Sequence, residues 1–445
     1  MIYQCQKCLF IHEGDMPDGY FCPLCREGIF CFKLIKKEKK IYNRIQLAKD
    51  NPGIDRIDAK CVNCGICRKT CENIVGINLE EKPICLACGQ CILTCPTGAL
   101  TPKYAYQKVM ELIKDKNKIV VILTSPAVRV GIGDGFGYPP GEFLEGKMIA
   151  SLKALGADYV YDVSFGADLK VFEETAEIKK RIKNNGKLPI FTSCCPAWIK
   201  YAENYYPKLK ANISSCKSPN LMVASLIRHY FAKEEGIKNE NLVIVSLTPC
   251  PAKKSEFINT DIDYVITTSE LAYLLKEQNI DFKNLKDEEY DALIGSSLGV
   301  NAGVSGGIML GTLSNYYYLE TKEHLTEEYL LIKDQGFYTE YSFEINNRII
   351  KAAAVSTMPN LEKLLPIMNN FVFIEVMNCY EGCINGGGQI LMEPKKMSEI
   401  IAKRKKHLKR KTTFKYAYEN SEINDLYEDF LEEPMSNKSK KILHK

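Results

Sequence analysis

Past residue 103 the chain alternates between helix-like and strand-like spacing of its apolar residues. YAYQKVMELIKDK reads as a helix, KIVVILTSPAV as a buried strand and GEFLEGKMIASLKAL as a second helix. YVYDVS is a strand pattern and VFEETAEIKKRIKNN a helix, and LPIFTSCCP, NLVIVSLTPC, DYVITT, AAAVST and FVFIEVMNC are further strands. Strands that are apolar throughout and separated by helices imply parallel sheets covered on both faces. The predicted fold class is α/β, with two lobes of parallel-type sheet flanked by helices.

Reactive-looking residues follow these strands in a regular way. TSP comes after Leu123, TSCCP after Ile190 and Phe191, TPC after Leu247, and MNCYEGC after Val376. Ligands of open α/β sheets bind at the carboxyl ends of strands, so distant cysteines can converge there. One metal site between two lobes is expected.

Composition sharpens this picture. The chain has 445 residues, 46% of them hydrophobic, enough for one large domain with small appendages. Its start lacks the pattern of a signal peptide and no segment approaches the roughly 20 apolar residues of a membrane span, so a soluble, cytoplasmic protein is expected. Nineteen cysteines in such a chain indicate metal rather than disulfides. Thirteen lie in the first 95 residues and six beyond. With five histidines and no HExxH, hydrolytic zinc chemistry is disfavoured. The formal charge of +4 counts thiols as neutral. Four-thiolate iron and three cubanes would add about −7, so the basic sequence pI does not argue for nucleic acid.

Cys5, Cys8, Cys22 and Cys25 form two CxxC pairs, the pattern that brings four sulfurs around one ion. MPDGYFCPLC is similar to a shortened rubredoxin module. Leu9 and Arg26 stand where rubredoxin knuckles carry glycine, leaving iron or zinc open, with iron favoured by the redox context. Cys31 reads as a spare thiol, and FKLIKKEKKIYNR, 32–44, as a solvated basic linker. CVNCGICRKTC and CLACGQCILTCP then repeat CxxCxxCxxxC, in which three sulfurs wrap one cubane and the fourth crosses to the other. Cys61, Cys64, Cys67 and Cys95 are assigned to one [4Fe-4S] cluster, and Cys71, Cys85, Cys88 and Cys91 to a second, in a ferredoxin-like α+β module. The resulting divisions are 1–30 (four-cysteine module), 31–58 (linker), 59–102 (ferredoxin-like), 103–408 (catalytic, two lobes) and 409–445 (an extension wrapping the catalytic part).

Cys195, Cys250, Cys379 and Cys383 suit a third cubane. TSCCPAW, TPCPAKKSE and EVMNCYEGCINGGG are similar to the three signature segments of [FeFe]-hydrogenases, and LYEDFLEEPMSNKSKKILHK resembles the carboxyl-terminal extension of those enzymes. The resemblance implies an H-cluster, a [4Fe-4S] cubane whose Cys383 sulfur also bridges a diiron unit carrying CO, cyanide and a dithiolate. It further implies that Lys253 holds the cyanides, with Glu256 fixing its segment. Ser125, Pro126, Ala127, Thr248, Met377 and Asn220 fall where the family lines the diiron unit. Cys194 matches the thiol facing the open iron, and an ordinary thiol pKa of about 8.5 would suit proton exchange near neutrality. Glu174, Glu177 and Arg181 share a helix face by their spacing. By family match, Glu174 takes the proton from Cys194, Ser214 relays it, and Glu177 with Arg181 leads outward.

Four positions depart from the best-known members: Thr248 replaces a methionine, Ser125 an alanine, Ala302 a phenylalanine and Asn220 a glutamine, while Met377 is kept. The pocket is expected to be roomier and more polar, as in the divergent group B branch. Cys216 and Trp198 read as core, His229 as an ordinary helix residue, and KRKKHLKRK, 403–411, as a solvated helix end. The function implied is an oxygen-sensitive enzyme interconverting protons and H2, with a ferredoxin- or rubredoxin-type electron carrier and maturation proteins for the diiron unit as partners. Partners of nucleic acid or membrane type are not expected. A hydrogen sensor, or a non-catalytic iron-sulfur scaffold, is the alternative.

Overall fold

The protein is described by a computed structural model covering residues 2–8, 10–13, 19–35, 44–77, 79–80, 84–257, 260–391, 393, 396–410 and 414–445. Leu9, most of the basic stretch 32–44, and Lys411 lie outside the described residues.

Fourteen strands are seen among the described residues: β1 (Ile2–Cys5), β2 (Ile11–Glu13), β3 (Phe32–Leu34), β4 (Ile54–Arg56), β5 (Leu100–Pro102), β6 (Ile119–Thr124), β7 (Tyr159–Asp162), β8 (Ile190–Phe191), β9 (Leu242–Thr248), β10 (Tyr264–Thr267), β11 (Leu331–Asp334), β12 (Thr339–Ile345), β13 (Arg348–Ser356) and β14 (Phe373–Met377). A four-stranded sheet, ordered β10-β9-β6-β7, is parallel throughout, with Leu123 opposite Ser246 and Thr124 opposite Asp162. All seven residues of β9 are buried. Alternate residues supply separate cores: Val121, Leu123 and Ile244 face one, while Val120, Ile122, Val243 and Val245 face the other. This period of two on both faces is why these strands are apolar throughout.

The second large sheet, ordered β11-β12-β13-β14-β8, is mixed. β13, β14 and β8 run parallel, whereas β11, β12 and β13 form antiparallel pairs. The sequence reading anticipated only the AAAVST end of β13 and missed the hairpin. Asn346 and Asn347, with φ of 48° and 58°, make the two-residue turn that joins β12 to β13. Both central residues in the left-handed region match the twist of paired strands, and asparagine tolerates it. The edge strand β11 is fully exposed, with Leu331 and Ile332 facing solvent, so its short LIKD run carries no burial pattern to mark it. YVYDVS also ends sooner than its pattern suggests, because Val163 already opens a 21-residue helix, Val163–Lys183.

That helix is set by one carboxylate. Asp162, at the end of β7, caps it by accepting from the Ser164 amide at 2.7 Å. Its oxygens also meet Arg129 and, at 2.6 Å, Arg410. Burial favours the neutral acid, but the two guanidiniums outweigh it and hold Asp162 at about 2, ionised at any physiological pH. Arg410 also pairs with Glu145, and Arg404, fully buried, pairs with Asp134 and donates to the Ile384 carbonyl at 2.8 Å. Two residues of the supposed solvated run 403–411 are therefore interior anchors, because each guanidinium meets a carboxylate inside the fold. Replacing Asp162 by Asn would leave two buried arginines short of their partner. The expected cost is about 3–5 kcal/mol, read as a lowered urea midpoint.

Candidate metal centre

In the amino-terminal module β1 pairs antiparallel with β2 and β3. The loops between them gather Cys5, Cys8, Cys22 and Cys25, whose sulfurs all lie within 4.8 Å of one another. Cys5 and Cys25 are 3.5 Å apart and Cys8 and Cys22 3.3 Å. A tetrahedron with metal–sulfur bonds of about 2.3 Å has edges of about 3.8 Å, so four thiols this close fit a single ion. Arg26 keeps a left-handed φ of 61° where rubredoxin knuckles carry glycine, so the backbone turn survives the change of residue.

The two following cysteine runs fold as a repeat. Asn63 and Ala87 take φ of 53° and 54°, and Gly65 and Gly89 take 80° and 77° just before the helices Ile66–Thr70 and Gln90–Thr94. The equivalent threonines of the two helices, Thr70 and Thr94, bond each other at 2.8 Å. Cys61, Cys64, Cys67 and Cys95 line one cavity, and Cys71, Cys85, Cys88 and Cys91 a second. Donors already point at sulfur: the Ile45 amide is 3.4 Å from Cys67 Sγ, and the Asn51 amide nitrogen 3.3 Å from Cys85 Sγ. Such bonds tune the potential of an iron-sulfur cluster.

Both large sheets turn their carboxyl edges toward a central cavity of about 70 Å³. β6 supplies Ser125, Pro126 and Ala127, β8 leads to Cys194 and Cys195, β9 gives Thr248 and Cys250, and β14 gives Met377 and Cys379, followed by Cys383. Lys253, Asn220 and Ala302 complete this part of the lining. Burial pushes the thiols of Cys379 and Cys383 well above their ordinary range and that of Cys250 to about 12. Thiolates in such surroundings need metal as their positive partner. The Asn378 side-chain amide also lines the cavity, and both its polar atoms are buried without a partner. The donor set and this orphaned amide fit a bound, polar, iron-containing group.

The cavity carries one well-held cation. Lys253 Nζ donates to the Cys194 carbonyl at 3.1 Å and to Glu256 at 2.6 Å. Burial opposes its charge, but Glu256 more than compensates and raises Lys253 above its ordinary value. Glu256 itself is behind the lysine rather than on the wall. Elsewhere on the lining Asn220 bonds Ser125 Oγ at 3.1 Å, and it reaches Ser246 Oγ at 2.8 Å, so two of the substituted positions support each other.

Glu174, Glu177, Arg181 and Ser214 lie off the cavity. Glu174 and Glu177 are buried. Glu177 meets Arg181 at 2.5 Å and accepts from Ser214 Oγ at 3.0 Å. Arg181 donates onward to the carbonyls of Lys187 and Ala211, each at 3.0 Å. Two neighbours escaped the sequence reading. Lys170, fully buried, sits 2.9 Å from Glu174 and donates to Ser193 Oγ at 2.8 Å. Its i,i+4 spacing to Glu174 was the available signal. Gln90 reaches from the ferredoxin-like repeat to Cys379 Sγ at 3.2 Å and the Asn385 carbonyl at 2.8 Å. A Cβ on Gly387 would stand 2.2 Å from the Gly89 backbone, so the GGG run lets the two loops touch.

Residues 118–387 match the family described as iron only hydrogenase large subunit, C-terminal domain, and 398–445 match iron hydrogenase small subunit. The chain is 36% identical to the NADP-reducing hydrogenase subunit HndD of Solidesulfovibrio fructosivorans, over 86% of this chain and 73% of that one. It is 33% identical to iron hydrogenase 1 of Clostridium pasteurianum, over 98% and 83%. A cytosolic Fe-S cluster assembly factor, narfl of Xenopus tropicalis, is 27% identical over 93% and 92%. Among solved structures, the apo [FeFe]-hydrogenase HydA1 of Chlamydomonas reinhardtii superposes with a TM-score of 0.68 at 30% identity, covering 77% of this chain and 98% of that one. The protein belongs to the iron-only hydrogenase family. No helix among the described residues is long and apolar enough to cross a membrane.

If the four amino-terminal sulfurs share one ion, Cys25→Ser should remove one metal equivalent per chain by elemental analysis and leave the remaining iron in place. Unchanged metal content would exclude the site.

Proposed function

We propose that the protein is an [FeFe]-type hydrogenase that interconverts protons, electrons and H2, exchanging electrons with a ferredoxin- or rubredoxin-type carrier. The observation that carries this reading is the company kept by the four cysteines. The same cavity holds a free thiol, Cys194, and a buried lysine, Lys253, and a purely structural cluster needs neither. Cys195, Cys250, Cys379 and Cys383 would hold the cubane, with Cys383 also reaching the diiron unit. When bound, that unit supplies the open metal position at which H2 is split or formed.

The chain's own residues do the rest. Lys253, fixed by Glu256, presents positive charge to anionic ligands, and the apolar wall excludes water around it. Cys194 gives and takes the proton at the cavity, because heterolytic chemistry needs a base beside the metal. Glu174 receives it, Ser214 passes it to Glu177, and Arg181 opens toward the exposed surface. Burial disfavours the Glu174 carboxylate and Lys170 only partly offsets it, so its carboxyl titrates above the ordinary range and can hold a proton. Residues 1–30 and 59–102 would serve as electron modules beside a catalytic part at 103–408, wrapped by 409–445. Gln90 and the Gly89–Gly387 contact bring the wall of the second cluster cavity against the central one, and Cys88 lines both.

The likeness to a cluster assembly factor supports a second reading, an iron-sulfur scaffold without the diiron unit. Infrared spectra of protein matured with the diiron cofactor separate the two, since only the enzyme would show iron-bound CO and cyanide bands. A hydrogen assay then tests turnover. Cys194→Ala should keep those bands and lower turnover about 10²- to 10⁴-fold. Equal rates in both proteins would remove Cys194 from the proton route.

A further inference from the structure

We propose that His444 is a positioning residue for a second, buried branch of the proton path, taking up a proton from Glu177 through Ser215 and returning it. The inference rests on the hydrogenase reading, which gives such a branch its use. Its basis is an unbroken row of polar contacts. Ser215 Oγ lies 3.4 Å from Glu177 Oε2, and the Ser215 amide donates to that same oxygen at 3.2 Å. Ser215 Oγ is also 2.8 Å from His444 Nδ1, and His444 Nε2 is 2.9 Å from Glu173 Oε2.

The backbone that carries the imidazole is held on both sides of His444. The Lys217 amide donates to the Leu443 carbonyl at 2.8 Å and the Lys445 amide to the Ser215 carbonyl at 2.9 Å, with Cys216 opposite His444 in an antiparallel bridge. His444 and Glu173 are buried. Three donors converge on Glu173: Tyr427 Oη at 2.8 Å, the Met435 amide at 2.8 Å and His444 Nε2. A carboxylate so surrounded fixes Nε2–H as a donor and leaves Nδ1 to accept from the Ser215 hydroxyl.

The other charged groups nearby leave this role open. Lys217 Nζ turns to the Ile442 carbonyl and Ser225 Oγ, at 2.7 and 2.8 Å, and Arg181 is engaged with Glu177. Lys445 follows His444 in the chain, and Lys170 is paired with Glu174 one turn earlier on the helix.

The transfer balances without any further reactant. A proton on Glu177 Oε2 passes to Ser215 Oγ as the Ser215 hydroxyl proton passes to Nδ1. Glu177 returns to carboxylate, and His444 becomes an imidazolium facing the Glu173 carboxylate. Release reverses both movements. No electron is moved. In the neutral state Ser215 points its hydrogen at His444; in the charged state it points it at Glu177. The imidazole thus sets the direction of the hydroxyl that Glu177 meets.

The test uses His444→Gln, which can hydrogen-bond to both neighbours but cannot carry the extra proton, and Ser215→Ala, which cuts the row. In protein loaded with its iron-sulfur clusters but lacking the diiron unit, the infrared stretch of the Glu177 carboxyl group is identified by its loss in Glu177→Gln. Both variants should shift that band and its dependence on pH. In matured protein each should lower hydrogen turnover about tenfold, and the double variant should be no slower than either single one. An unmoved band in either variant, or losses that multiply in the double, overturns the branch. Shifted bands in a protein that never turns over hydrogen would keep the branch and remove the hydrogenase reading.

Discussion

Sulfur buried away from water cannot carry charge without a cation against it. The central cavity answers that constraint. Two sheets aim their carboxyl edges at one cavity, and the cysteines that follow β8, β9 and β14 arrive there from positions far apart in the chain. Burial drives their thiols upward, so the site acquires its proper charge state only with metal present. The same logic at smaller scale explains the four-cysteine module, where sulfurs 3.3 to 3.5 Å apart in pairs would repel one another as thiolates.

Several of the remaining interior charges are arranged in matched sets. Lys253 faces Glu256, Lys170 faces Glu174, Arg404 faces Asp134, and Asp162 sits between Arg129 and Arg410. Such pairs contribute little net stability compared with apolar residues, but removing one member leaves a charge stranded. They therefore act as locks on geometry. The helix Val163–Lys183, which carries Lys170, Glu174 and Glu177, is fixed at its first turn by one of them.

Much of this could be read from residue order. Uninterrupted apolar runs mark β6, β9 and β14, and cysteine spacing alone groups the residues that line each of the amino-terminal cysteine sites. The antiparallel hairpin β12–β13 was hidden because its signal is two asparagines between partly polar strands. Arg404 and Arg410 looked like solvated charge because their partners, Asp134, Glu145 and Asp162, lie more than two hundred residues away. Cys194 shows a different limit. Its reference acidity suggested easy exchange near neutrality, but burial, only partly offset by Lys170, pushes the thiol to about 12. Composition carries no information about such a local environment.

The clasp between Asp162 and Arg410 also bears on timing. Its two halves are 248 residues apart, so the carboxylate emerges from the ribosome long before the guanidinium that completes it. At about 5–20 residues per second that gap is on the order of ten to fifty seconds. During it Asp162 has its helix cap and Arg129 but lacks Arg410. Quality control that probes newly made chains would meet the nascent lobe while this rivet is still missing.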